Sequence, residues 1–278
     1  MTLGQEFHGW GFTINDEIEN LRAAQEHLKI VNLGATAIGT TVTAAPGYPE
    51  LAVKNLAELT GIDFKNSEDL IAATSDCGAY MTLSSAIKGL AVKMTKVCND
   101  IRLLASGPRC GLKEINLPQL QPGSSIMPGK VNPVAAEVAN QASFLAIGLD
   151  TTVMLAASAG QLELNVMEPV ITFALYTQMK VMTNACDTLR TKLVEGVTAN
   201  TERCKDYVMN SIGIVTLLKP HFGYQKCAAI AKEGYTTGKS LHQIVVDEQH
   251  LMTQAEWDAT FNTQNLICLL YTSPSPRD

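Results

Sequence analysis

Several features are missing from these 278 residues, and each absence closes off a class of function. Positive charge is scarce: 21 Lys and Arg stand against 27 Asp and Glu, a net charge of −6, with no long run of either sign. A general nucleic-acid binder needs basic patches to neutralise phosphates, so no nucleic-acid partner is expected. A small anion stays possible, because one lysine placed in a cleft can dominate the local field. No stretch of roughly 18 or more residues is apolar throughout, which argues against a membrane span. Met1 leads straight into TLGQEFHGW with no secretory leader, and a cytoplasmic location is expected. The seven cysteines are widely spaced and form no CxxC pair, which fits reduced thiols better than a disulfide frame or a zinc centre. His8, His27, His221, His242 and His250 show no ligand spacing, so no metal is expected, and no cofactor motif stands out. Strand alternation and internal repeats are absent as well.

What is present is helix. Hydrophobic residues make up 46% and charged residues 17%, the balance of a globular chain long enough for one large domain and a small one. From Ala79 to Ala105 the apolar positions Leu83, Ile87, Leu90, Met94, Val97, Ile101 and Leu104 step by four and three. That period of about 3.5 residues is the seam of a bundled helix. Residues 2–32 carry a similar seam through Leu3, Phe7, Trp10, Ile14, Leu21, Leu28 and Val31, with Glu17 as its polar exception. Gly107 and Pro108 end the second helix. Helix resumes near Val134 and runs to about Ala159, so poor in charge that it should be buried on most sides. Another helix is expected over 170–197. Beyond Asn200 the elements shorten, punctuated by Pro220, Gly223, Gly234 and Gly238. The expected division is a helical bundle over 1–203, a small helical domain over 204–268, and a disordered tail over 269–278.

Between the second and third long helices lies a loop, 107–133, rich in Gly, Pro, Ser and Asn. Long ordered loops in compact domains are usually functional or mobile. Its sharpest part is Gly123-Ser124-Ser125-Ile126-Met127-Pro128-Gly129-Lys130-Val131-Asn132-Pro133. A phosphate-binding GxxxxGK[ST] loop is excluded: the spacing is one residue too long, Val131 replaces the hydroxyl residue, and no strand precedes it. The segment offers hydroxyls at Ser124 and Ser125, a cation at Lys130 and an amide at Asn132, a set suited to a small carboxylate. The residues alone fit equally well a polar connector whose Ser and Asn satisfy turns and cap the next helix.

GSSIMPGKVNP closely resembles the loop pattern GSxxMPxKxNP of the aspartase/fumarase superfamily. The similarity extends through CNDIRLLASGPRCGLKEINLP before it and QLELNVMEPVI and TANTERCKDYVMNSIGIVT after it, covering residues 1 to about 268. EDLIAATSDCGAY and QLELNVMEP are similar to the aspartase branch more than to class II fumarases. The resemblance implies an all-α long-helix bundle with a small C-terminal helical domain, assembled as a homotetramer. It implies elimination of ammonia from L-aspartate to give fumarate, with elimination of water from malate as the alternative. It assigns Ser124 as the base that removes a carbon-bound proton, Lys130 and Asn132 as ligands of a substrate carboxylate, and Ser125 and Met127 as lining. The family carries further active-site segments upstream of the residues matched here, so the chain is expected to be an inactive fragment on its own, at most an oligomerisation module. The closing LLYTSPSPRD does not match the family. Glu163 and Glu168 are expected in structural ion pairs, and Arg109 in positioning the loop.

Overall fold

The computed structural model of the chain describes residues 1–267; the expected disordered tail and Cys268 lie outside them. The chain is all-α. Its long helices are α1 (Leu3–His27), α4 (Gly78–Leu104), α5 (Val134–Ala157) and α6 (Glu168–Lys192), with α2 (Tyr48–Thr60) and α3 (Leu70–Ser75) between the first two. Helices α7 (Thr201–Met209), α8 (Lys219–Thr237), α9 (Gln254–Thr260) and α10 (Thr263–Leu266) follow, joined in part by 3-10 and π turns. Four two-residue strands also occur: Ile30–Val31 pairs in parallel with Lys65–Asn66, and Ile115–Asn116 pairs antiparallel with Thr198–Ala199. Segments this short bury no alternating face, so they leave no periodic trace in the sequence.

The chain divides into two compact units. One takes in residues 9–106 and 117–197; the other takes in 1–8, 107–116 and 198 onward. In the first, α4, α5 and α6 pack side by side. The face of α5 turned to its neighbours carries Ala135, Ala136, Ala139, Ser143, Ala146, Val153 and Ala156, all buried. Small side chains let helix axes approach closely, and close approach maximises dispersion contacts. A polar lock sits in the same contact. Ser84 Oγ donates to Asp150 Oδ1 at 2.8 Å, Lys88 Nζ to Asp150 Oδ2 at 2.6 Å, and Gln178 Nε2 to Ser84 Oγ at 3.1 Å and to the Ala146 carbonyl at 2.9 Å. Gln178 Oε1 and Asn140 Oδ1 have no partner among the described residues.

The seam of α4 is buried at Ile87, Met94, Val97, Ile101 and Leu104, with Ala91 taking the place expected of Leu90. The expectation that α5 is buried on most sides is not met within one chain. Val138, Phe144, Leu145, Met154 and Leu155 are exposed on it, and Phe173 and Tyr176 on α6. The α5–α6 turn is stapled by Asn165, whose Nδ2 donates to the Ala156 and Ala157 carbonyls and whose Oδ1 accepts from Met167 N. Glu163 and Glu168, expected in ion pairs, form none among the described residues; Glu168 opens α6.

In the second unit, Ile214, Leu218, Ile230, Leu241, Ile244, Trp257 and Phe261 belong to one apolar cluster, with the Trp257 and Phe261 rings stacked at 3.9 Å. Residues 111–116 are tied to the start of α7. Asn200 Nδ2 donates to the Lys113 carbonyl at 2.8 Å, and Arg203 and Tyr207 donate to the carbonyls of Gly111 and Leu112. The six described cysteines are unpaired, and burial pushes the Cys98 thiol up to about 12, as expected of an inert reduced thiol.

Glu17 is the instructive exception in the α1 seam. It is 4% exposed, spaced by one heptad from the buried Trp10 and Ala24. Lys93 of α4 reaches it at 2.5 Å, and Gly89 leaves the space its carboxylate fills. Burial alone would raise this carboxyl, but hydrogen bonds from Lys93 and Asn20 and the Lys93 charge outweigh it, so the carboxyl is held below its ordinary value. Stability from this pair is therefore present above the ordinary carboxylate range and lost as pH falls through the lowered value. Lys93→Met removes the partner and leaves burial to raise the carboxyl. We expect a loss of about 2–3 kcal/mol at pH 7 in urea unfolding, narrowing as pH falls towards roughly 4.5. A deficit independent of pH would contradict this account.

Candidate functional site

The loop between the strand Ile115–Asn116 and α5 enters through Leu117-Pro118 and leaves through Pro133, which cannot donate a backbone hydrogen bond and stands at the N-cap of α5. Gly196 packs on Pro118, where an added Cβ would lie 2.6 Å from Pro118 Cγ. Between these roots residues 123–132 fold on themselves. Asn132 Nδ2 donates to the Gly123 carbonyl at 2.7 Å. An ideal Cβ on Gly123 would fall 1.7 Å from the carbonyl oxygen of Lys130, so only glycine permits this approach of two backbone segments. Gly129 takes φ +78°, the left-handed turn that returns the chain, and Lys130 N donates to the Met127 carbonyl at 3.4 Å.

Within this ring Ser124 is half-buried, and its Oγ accepts from the backbone N–H groups of Ile126 and Met127, both at 3.0 Å. A serine hydroxyl has two acceptor lone pairs and one proton. With both lone pairs engaged, the neutral hydroxyl can only donate. Once deprotonated, the same oxygen is an alkoxide held by two backbone dipoles. Ser125, Met127 and Lys130 are exposed, and among the described residues the Lys130 ammonium has no ion-pair partner.

The loop's own backbone thus brings Ser124 and Asn132 into one hydrogen-bonded ring, with the Lys130 backbone at its neck. Ser125, Met127 and the Lys130 side chain lie on the exposed part of the same ring. Just downstream, α5 begins at Val134 with no side-chain cap, so its first N–H groups and its positive end lie two residues from Asn132. Backbone donors to the Ser124 oxygen are what a serine base requires, and they are the main-chain groups of Ile126 and Met127, whose identity no residue pattern marks. Gly123 could have been suspected from the pattern, since a glycine before a hydroxyl pair suggests close backbone approach. One open concavity of about 320 Å³ is lined by Phe173, Tyr176, Thr177, Lys180 and Val181 of α6 and includes no residue of the loop. No group of three or more His, Cys, Asp or Glu that could hold a metal is found among the described residues.

Comparison with known proteins places this loop in context. The family model described as "Lyase" matches residues 1–148, and the one described as "Fumarase C C-terminus" matches residues 214–268. Aspartate ammonia-lyase of Escherichia coli (strain K12) is 55% identical over 267 residues, covering 96% of this chain and 56% of the relative. Aspartate ammonia-lyase of Helicobacter pylori (strain ATCC 700392 / 26695) is 50% identical, covering 96% and 57%. Among solved structures, the cobalt-bound fumarate lyase:delta crystallin from Brucella melitensis superposes with a TM-score of 0.90 at 40% identity, covering 94% of this chain and 56% of that one. A class II fumarase from Schistosoma mansoni superposes with a TM-score of 0.86 at 30% identity, covering 94% and 58%. The chain spans about half the length of the curated relatives it matches. With the bundle, the loop and both family models in agreement, the chain belongs to the lyase family of the aspartase/fumarase type.

Proposed function

We propose that these residues form part of an aspartate ammonia-lyase, which eliminates ammonia from L-aspartate to give fumarate. The observation that carries this reading is the pair of N–H groups aimed at Ser124 Oγ. The demanding step is removal of a proton from the carbon next to a carboxylate, which leaves an enediolate. Serine is a poor base unless its alkoxide is stabilised, and two preorganised backbone donors do that at no cost of reorganisation. The alkoxide takes the carbon-bound proton, and the amine then departs from the neighbouring carbon as the double bond forms. Lys130 supplies the charge that meets a substrate carboxylate, with Asn132 beside it, and Ser125 and Met127 line the same site. The positive end of α5 adds to the field there. The relatives at 50–55% identity named as aspartate ammonia-lyases favour this over malate dehydration.

Placed in a chain of the relatives' full length, Ser124→Ala should lower kcat by about 10²–10⁴-fold with KM nearly unchanged. Lys130→Ala should raise KM as well. Following fumarate by absorbance with aspartate, and separately with malate, reads both the role and the substrate; a near-normal kcat for Ser124→Ala sinks the assignment. Residues 1–267 by themselves should form no fumarate, because the loop is only one wall of the site and losing even one stabilising donor costs about 10²–10³-fold.

The assembly we propose is a homotetramer joined through α1, α4, α5 and α6. Support comes from large apolar side chains left uncovered on α5 and α6, among them Phe144, Leu155, Phe173 and Tyr176. Light scattering coupled to size-exclusion chromatography should give a mass near four chains. A stable monomer at micromolar concentration contradicts it.

A further inference from the structure

The neck and the interior of the loop are joined through one peptide plane. The carbonyl that Asn132 Nδ2 grips belongs to Gly123, and the nitrogen of that same peptide unit belongs to Ser124. A peptide unit is planar, so holding its oxygen fixes the direction in which the chain enters Ser124. Rotation of that plane would swing Ser124 Oγ away from the N–H groups of Ile126 and Met127. Nothing else in the ring holds the plane by a side chain. The close approach of Gly123 to the Lys130 carbonyl holds it only by contact. One hydrogen of the Asn132 amide is committed to this grip, while its second hydrogen and Oδ1 stay available to a ligand.

We propose that Asn132 is a positioning residue for Ser124: its amide clamps the peptide plane between Gly123 and Ser124 and thereby keeps Oγ beneath its two backbone donors. The proposal deepens the reading of Ser124 as the base and rests on it. It assigns the Asn132 amide a duty inside the protein, in addition to any contact with substrate.

Hydrogen exchange read by mass spectrometry on the chain itself tests the clamp, following the amides of Ile126 and Met127 with those of α4 to α6 as internal reference. In Asn132→Ala the two loop amides should exchange about tenfold faster, the equivalent of one net hydrogen bond, while the helices keep their protection. Asn132→Asp separates a clamp from mere shape. Aspartate has nearly the same outline, so a space-filling role makes it the mildest change. A clamp makes it the worst, because a carboxylate then faces the Gly123 carbonyl. Gly123→Ala opens the same neck by a clash and should loosen the same two amides; it carries the test if an Asn132 variant also loses helix protection. Loop exchange unchanged in Asn132→Ala or in Gly123→Ala overturns the proposal, and so does an Asp variant milder than Ala. Because exchange does not depend on turnover, failure of the clamp is distinguishable from failure of Ser124 as base, which the kinetics of Ser124→Ala decide.

Discussion

The contact of α5 with α4 and α6 is the constraint on which the first unit depends. Its alanines set the spacing, and the Ser84–Asp150–Gln178 lock sets the register, since sliding any of the three helices by one residue would strand a buried carboxylate or amide. A buried charge without partners is costly, so the lock is specific even where its net contribution to stability is small. The downstream root of the loop inherits this precision: Pro133 is the N-cap of α5 itself. Within the second unit, residues 111–116 are held by side-chain donors of Asn200, Arg203 and Tyr207 to their carbonyls.

Much of the bundle was legible because its helices are long and periodic. The expected ends of α4, α5 and α6 fall within a few residues of those observed, apart from the C-terminus of α6, which stops at Lys192 where a 3-10 turn takes over. The first seam extends in sequence to residue 32, but the helix ends at His27, after which Ile30–Val31 pairs with Lys65–Asn66. Apolar residues continue in that pairing at a spacing that mimics helix, so pattern alone could not find the break. Glu17 was visible as an exception, and its explanation needed a partner on another helix, Lys93. The exposure of α5 has a physical reason: an apolar circumference says that a helix must be covered, without saying that its own chain does the covering.

The loop was legible as a run of residues and much less so as an arrangement. The pattern from Gly123 to Pro133 marks the loop, and chemistry then suggests a cation and hydroxyls for a carboxylate. Two facts that decide what Ser124 can do come from main-chain geometry, the donors at Ile126 and Met127 and the approach of Gly123 to Lys130. Side-chain types hold no record of them beyond the glycines that make room. The same limit applies to Asn132, whose residue type fits a ligand contact and an internal bond equally well.

The closed ring from Gly123 to Asn132 also makes the loop a self-contained cassette. Its hydrogen bonds begin and end within ten consecutive residues, so the entropy of ordering it is met locally and not by the distant core. Substitutions in the bundle reach it through its two roots and through the crevice that Asn132 shares with Lys192 and Leu193. They would change where the cassette is presented while leaving its internal shape intact. A lineage could therefore reshape the surroundings of the loop and leave the two N–H groups over Ser124 Oγ as they are.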